Sequence, residues 1–125
     1  MTARSTRLLA AAACLAAAAP VAAATARPAT QTAHASATCK PPHYPGLGYF
    51  TTLHVAHVSC ATGRRVTLAH YRCRTKHGIR GYCHSRVLGY RCVEGHRNVI
   101  PTEFDARVTC TSGSRKVIYT YAQDT

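Results

Sequence analysis

The chain is poor in acid. Only four of its 125 residues are carboxylates (Glu94, Glu103, Asp105 and Asp124), against 16 lysines and arginines. It also lacks short-spaced cysteine pairs. No C-x-x-C occurs, and no close pair of ligands faces another, so the usual structural zinc arrangements are excluded. No metal and no cofactor is expected. No serine sits in a nucleophile-elbow motif, and neither a Ser-His-Asp nor a Cys-His arrangement is signalled. Beyond the first two dozen residues, no stretch approaches the roughly 20 apolar residues that a membrane span requires.

The one apolar run that is present lies at the start. Arg4 and Arg7 precede a continuous apolar stretch from Leu8 to Ala19, Pro20 breaks it, and Ala22-Ala23-Ala24 follows. A charged start, a short apolar core and a small-residue site form the secretory pattern. Residues 1–24 therefore read as a cleavable signal peptide, with cleavage after Ala24 favoured and Ala26 second. Arg4 and Arg7 are not adjacent, which argues against twin-arginine export. Leu8 and Leu9 lie too far upstream for lipidation at Cys14. The expected destination is secreted, by the Sec-type route.

Removing that segment changes the cysteine count from seven to six: Cys39, Cys60, Cys73, Cys83, Cys92 and Cys110. An even set in a short exported chain reads as a disulfide framework. Six cysteines allow 15 pairings. Spacing favours Cys73–Cys83, which closes the polar loop Arg74 to Tyr82. Cys92–Cys110 then bridges two strand-like segments, and Cys39–Cys60 ties down the N-terminal lead. Cys60–Cys110 is the rival pair.

The mature chain keeps 14 of the 16 basic residues, and nine of those lie between Arg64 and Arg97. Such a field attracts polyanions. Arg64, Arg65, Arg72, Arg74, Lys76 and Arg80 are the candidate anion-binding residues.

Three parts are expected: the signal peptide, a disordered lead at 25–38 rich in alanine, threonine and proline, and a small basic disulfide-rich domain at 39–125. Within the domain, Lys40–Gly48 is turn-rich. Tyr49–Val58 reads as a strand, with Leu53 and Val55 on the inward face and Phe50 on the other. Ser59 reads as an N-cap, and Thr62, Val66, Ala69 and Cys73 fall at helical spacing. The same stretch also alternates as a strand would, and periodicity alone leaves both open. Arg74–Ser85 reads as a basic loop, Val87–Glu94 as a strand and Gly95–Pro101 as a turn. Phe104–Cys110, the turn Thr111–Ser114 and Lys116–Tyr121 form a hairpin.

The segments Val58-Ser-Cys-Ala-Thr-Gly-Arg-Arg-Val66, Gly89-Tyr-Arg-Cys92 and Ala106-Arg-Val-Thr-Cys-Thr-Ser-Gly-Ser-Arg-Lys-Val117 resemble those of a group of small exported actinobacterial proteins without an assigned function. The likeness spans roughly residues 49–121. It implies an α+β fold, with one helix after Cys60 packed on an antiparallel sheet of three to four strands; an all-β fold is the alternative. The group often has alanine where this chain has Gly63. Glycine costs about 1 kcal/mol in a helix interior, so a glycine there points to close packing on the sheet if the helix forms.

Eight histidines invite a catalytic reading. A secreted ribonuclease-like hydrolase needs an acid, a base and a cation around a phosphate. The candidates are His54 or His57 with Glu103 or His96, and Arg91 or Arg107. On a strand His54 and His57 point to opposite faces. His43, His77, His84 and His96 fall in expected loops, and His70 lies beside the expected core stripe. The leading expectation is a non-enzymatic exported module that contacts anionic cell-envelope polymers or another secreted protein. A nuclease-like hydrolase is second. Third is an inhibitor or toxin that docks the Arg74–Tyr82 loop into a partner.

Overall fold

A computed structural model of the chain describes residues 35–125. The expected signal peptide at 1–24, Cys14, His34 and most of the 25–38 lead lie outside those residues. The elements are β1 (Ala37–Thr38), β2 (Gly48–Ala56), α1 (Cys60–Thr75), β3 (Arg91–Val99), β4 (Glu103–Ser112) and β5 (Arg115–Asp124). The strands form one antiparallel sheet in the order β1-β2-β5-β4-β3. One helix on an antiparallel sheet is thus the architecture, with five strands where three or four were expected. The additional strand is β1, drawn from the end of the expected lead. Ala37 and Thr38 pair with Val55 and His54 on the edge of β2.

The helix begins where Ser59 can cap it. Ser59 is extended, and its hydroxyl accepts from the Thr62 amide at 3.2 Å, satisfying one of the orphan donors of the first turn. The buried stripe is Gly63, Val66, Thr67, His70 and Arg74. This is rotated from the expected stripe of Thr62, Val66, Ala69 and Cys73, and only Val66 is common to both. The reason is Gly63. A Cβ there would stand 2.6 Å from Val55 Cγ1, so the missing side chain lets the helix settle on β2 along that line.

Two bulges set which side chains face the helix. Phe50 pairs with Tyr121 but Thr52 pairs with Thr120, so Thr51 is an extra residue in β2. The extra residue turns Phe50 onto the same face as Leu53, contrary to strict alternation. Phe50 packs edge-on against Tyr119. In β3, Glu94 pairs with Val108 and Arg97 with Ala106, again one residue too many. The bulge absorbs Gly95, so the expected turn at Gly95–Pro101 is replaced by strand as far as Val99. Glu94 and Arg97 consequently share the inner face.

The expected strand at Val87–Glu94 starts only at Arg91. Val87 and Tyr90 exchange both backbone hydrogen bonds around Leu88 and Gly89, each at positive φ. This is the geometry of a type I′ turn. The β4–β5 hairpin turns more tightly than expected, through Gly113 and Ser114 between paired Ser112 and Arg115.

The core lies between helix and sheet: Val66 against Leu53, Val55, Val108, Val117, Tyr119 and Tyr121, with Phe104 and Tyr90 farther along. Bridges join Cys39 to Cys60, Cys73 to Cys83 and Cys92 to Cys110; Cys60 and Cys110 are not joined. The first two hold the helix near both ends, and the third links β3 to β4.

Candidate functional site

The helix that positions the core also carries a charged outer face. Arg64, Arg65, Arg72 and Lys76 are all exposed. At 100° per residue they fall within about 120° of one another, along roughly 18 Å of axis. No acidic residue occurs on α1. Arg72 and Lys76 are four apart, a spacing at which like charges cost an isolated helix about 0.2–0.5 kcal/mol. Nothing on the helix offsets that repulsion. Arg80 is exposed in the following loop.

Arg74 does not belong to this surface. Its residue is 1 % exposed. The helix runs to Thr75, past the expected loop start at Arg74, and this carries Arg74 to the inner face four residues after His70. There Nη1 donates to the Ile79 carbonyl at 2.6 Å, and Nη2 donates to Tyr44 Oη at 3.0 Å and Gln123 Oε1 at 3.1 Å. The guanidinium lies 4.4 Å from the Tyr121 ring centroid. Tyr44 Oη also donates to Gln123 Oε1 at 2.6 Å. Arg74 is a structural cation, satisfied by neutral acceptors and aromatic faces.

A second, partly buried arginine holds the loop. Arg97 is ion-paired with Glu94 through its Nε, and it donates to the carbonyls of Arg80 at 2.6 Å and Gly81 at 2.7 Å. Its guanidinium stands 3.7 Å from the Tyr82 ring centroid. The loop after the helix is therefore fastened to β3 by Arg97 and to α1 by Cys73–Cys83.

Between these fastenings lies a cleft of about 240 Å³, lined by His70, Tyr82, His84, Arg91, Val93 and Glu94 and by Cys83 and Cys92. His70 is 1 % exposed, and its Nδ1 is hydrogen-bonded to Tyr119 Oη at 2.5 Å. Burial, opposed by the Glu94 charge and aided by that of Arg74, pushes the His70 pKa down to about 4, so the ring is neutral at pH 7. Burial likewise raises the Tyr119 hydroxyl well above its ordinary value. Glu94 Oε1 accepts from Tyr121 Oη at 3.0 Å as well as from Arg97. Its other oxygen, Oε2, is buried without a partner.

The nuclease constellation is not assembled. His54 lies on the outer sheet face beside Thr38 Oγ1. Its row continues through Ile118 to Thr109, whereas Glu103 pairs with Asp124 at the far end of β4, six residues or roughly 20 Å away. His57 follows β2 and His96 sits in the β3 bulge, at opposite sides of the sheet with β5 and β4 between them. The structure instead brings together His70, Glu94, Arg97 and Tyr119, of which sequence reasoning singled out His70 alone. Only His70 and Arg74, at helical spacing with Gly63, Val66 and Thr67, carry a sequence signal. Glu94 and Arg97 meet through a bulge that leaves no mark beyond Gly95.

Among the described residues no group of three or more histidines, cysteines or carboxylates could hold a metal ion. No described helix is long and apolar enough to cross a membrane. No protein-family model, no curated protein and no solved structure matches the chain.

Proposed function

We propose that this is an exported, non-enzymatic module that binds anionic polymers of the cell envelope through the outer face of α1. The observation that carries the reading is the ridge of Arg64, Arg65, Arg72 and Lys76, four cations on one face of a helix without an acid. The remaining charge supports it. Glu94 is taken up by Arg97. Glu103 and Asp124 stand opposite each other in the β4–β5 register at one end of the sheet, with Asp105 close by on β4, so the remaining acids gather there and not on the helix. The helix is therefore left uncompensated, and a linear polyanion laid along it releases counterions wherever a cation meets a phosphate. Three disulfides, and no membrane-crossing helix among the described residues, are compatible with secretion.

The test is the salt dependence of binding to a soluble teichoic-type polyphosphate. Wild type should bind at low ionic strength with a steep log K against log salt slope. Replacing all four ridge cations by glutamine should lower that slope by roughly 0.7 for each phosphate left without its cation. Replacing an equal number of exposed cations off the helix, Arg86, Arg107, Arg115 and Lys116, should change it less. Equal reductions from the two sets would mean that net charge, and not the ridge, does the binding, and the reading would fall.

A further inference from the structure

The cleft beside His70 has features that the ridge does not explain. Three elements form it, and two of its lining residues, Cys83 and Cys92, are held in bridges to α1 and β4. Its walls are thus fixed before anything binds, which lowers the ordering cost of association. Its inner end holds two almost fully buried polar side chains: His70, and Glu94 with its side chain 6 % exposed. Tyr82, by contrast, is 50 % exposed, with the Arg97 guanidinium against its ring. The arrangement is an aromatic wall at the mouth with convergent polar groups inside, the usual composition of a small-ligand site.

The unpartnered Glu94 Oε2 narrows the ligand. A buried acceptor left unsatisfied is costly, and a hydrogen-bond donor entering the cleft would remove that cost. A cation is a poor occupant, because Arg97 already neutralises Glu94 and Arg91 borders the cleft. An anion is a poor one too, because Glu94 is at the inner end and the His70 ring is uncharged at pH 7. A neutral hydroxyl fits both constraints. It can donate to Glu94 and make a second hydrogen bond with the imidazole nitrogen that Tyr119 leaves free. The volume of about 240 Å³ is below the roughly 300–1,000 Å³ of drug-sized sites, and suits a single small ring. Tyr82 offers that ring an amphipathic face.

We propose that the cleft between α1, the 76–90 loop and β3 binds one neutral, hydroxyl-bearing sugar ring, with Glu94 and His70 as its hydrogen-bonding partners and Tyr82 as its stacking wall. Oε2 is itself closed to solvent, so the hydroxyl reaches it only when the Glu94 carboxylate and the exposed side chains of Tyr82 and His84 turn, while the bridged backbone of the walls stays in place. The proposal goes beyond the polyanion reading and does not rest on it.

The test is a titration of the isotope-labelled, disulfide-intact protein with glucose and N-acetylglucosamine, followed by amide and imidazole chemical shifts. Saturable shifts are expected around His70, Tyr82, His84 and Glu94, with a Kd on the order of 1 mM. Tyr82→Ala should weaken binding about tenfold, while Tyr82→Phe should retain it and shows that the loop still folds. The glutamine-substituted ridge should bind the sugars as wild type does, which separates this site from the proposed function. The absence of saturable shifts overturns the proposal, as does binding unaffected by Tyr82→Ala. So do equal shifts at these residues with inorganic phosphate or methylguanidine, which would mark a charged-ligand site.

Discussion

His70 shows at the residue scale how burial converts a surface-type side chain into part of the frame. An unfolded chain leaves its imidazole near the ordinary value of 6.5, and the folded environment pushes it to about 4. The groups facing it are Arg74 on its own helix, Glu94 on β3 and Tyr119 on β5. Between those two values the unfolded state binds the proton that the folded state refuses. Stability is therefore fully present above pH 6.5, falls as the pH drops, and stops falling below about 4. The loss is on the order of 3 kcal/mol. We expect urea midpoints to decline from pH 6.5 to 4.5, and His70→Gln, which can still bond Tyr119, to flatten most of that decline. An unchanged slope in the variant would assign the pH dependence to other groups. Arg74 carries the complementary lesson. Charge alone places it among the surface cations, whereas helical spacing with Gly63, Val66, Thr67 and His70 places it inside. The second signal is present in the sequence, but polar residues do not count toward an apolar stripe, so the charge prevails until the fold is known.

At the scale of elements, sequence and structure agree where a local signal exists. Ser59 marks the start of α1, Leu53 and Val55 mark the inner face of β2, and the alternating Val117, Tyr119 and Tyr121 mark β5. They part where the cause is nonlocal. The Thr51 bulge comes from pairing with β5, and nothing in Thr51 announces it. Gly63 is the most informative position. Alanine there would gain about 1 kcal/mol of helix propensity, but its Cβ would overlap Val55 Cγ1, and overpacking of that kind costs about 1–3 kcal/mol. Gly63→Ala should therefore lower Tm, and a rise of several degrees would show that Val55 yields freely. The turn after the loop points the other way. Leu88 holds a φ of 50° and is 56 % exposed. That conformation costs an ordinary residue roughly 1–2 kcal/mol, and asparagine tolerates it better. Leu88→Asn should stabilise the protein by about 0.5–1 kcal/mol in chemical denaturation. A loss would mean that the exposed leucine makes contacts worth more than the strain it bears.

On the scale of the whole molecule, the cysteines were the most legible feature, because an even number at moderate spacing constrains a small chain heavily. Each bridge, between cysteines 21, 10 and 18 residues apart in sequence, should stabilise by about 3 kcal/mol. Together these are comparable to the roughly 5–15 kcal/mol of a typical domain. Full reduction should accordingly abolish the cooperative thermal transition at about 37 °C and above, as followed by circular dichroism. A reduced protein that still melts cooperatively near the oxidised Tm would show that the aromatic core suffices. The charge asymmetry between helix and sheet end was half visible: the run of arginines was plain, but which of them reach solvent depended on the helix phase. The cleft was not visible at all, because its residues come from separate elements brought together by a bulge and two bridges.

The Cys73–Cys83 bridge has one consequence for the molecule in the presence of proteases. It encloses Arg74, Lys76 and Arg80, and the latter two are exposed, so a trypsin-like protease finds its preferred cleavage points inside a covalent ring. A single nick there breaks the chain without parting it. The two fragments stay joined through sulfur, Arg97 still grips the carbonyls of Arg80 and Gly81, and the ridge stays mounted on the sheet. Such damage would pass unseen on a non-reducing gel and show only after thiol treatment.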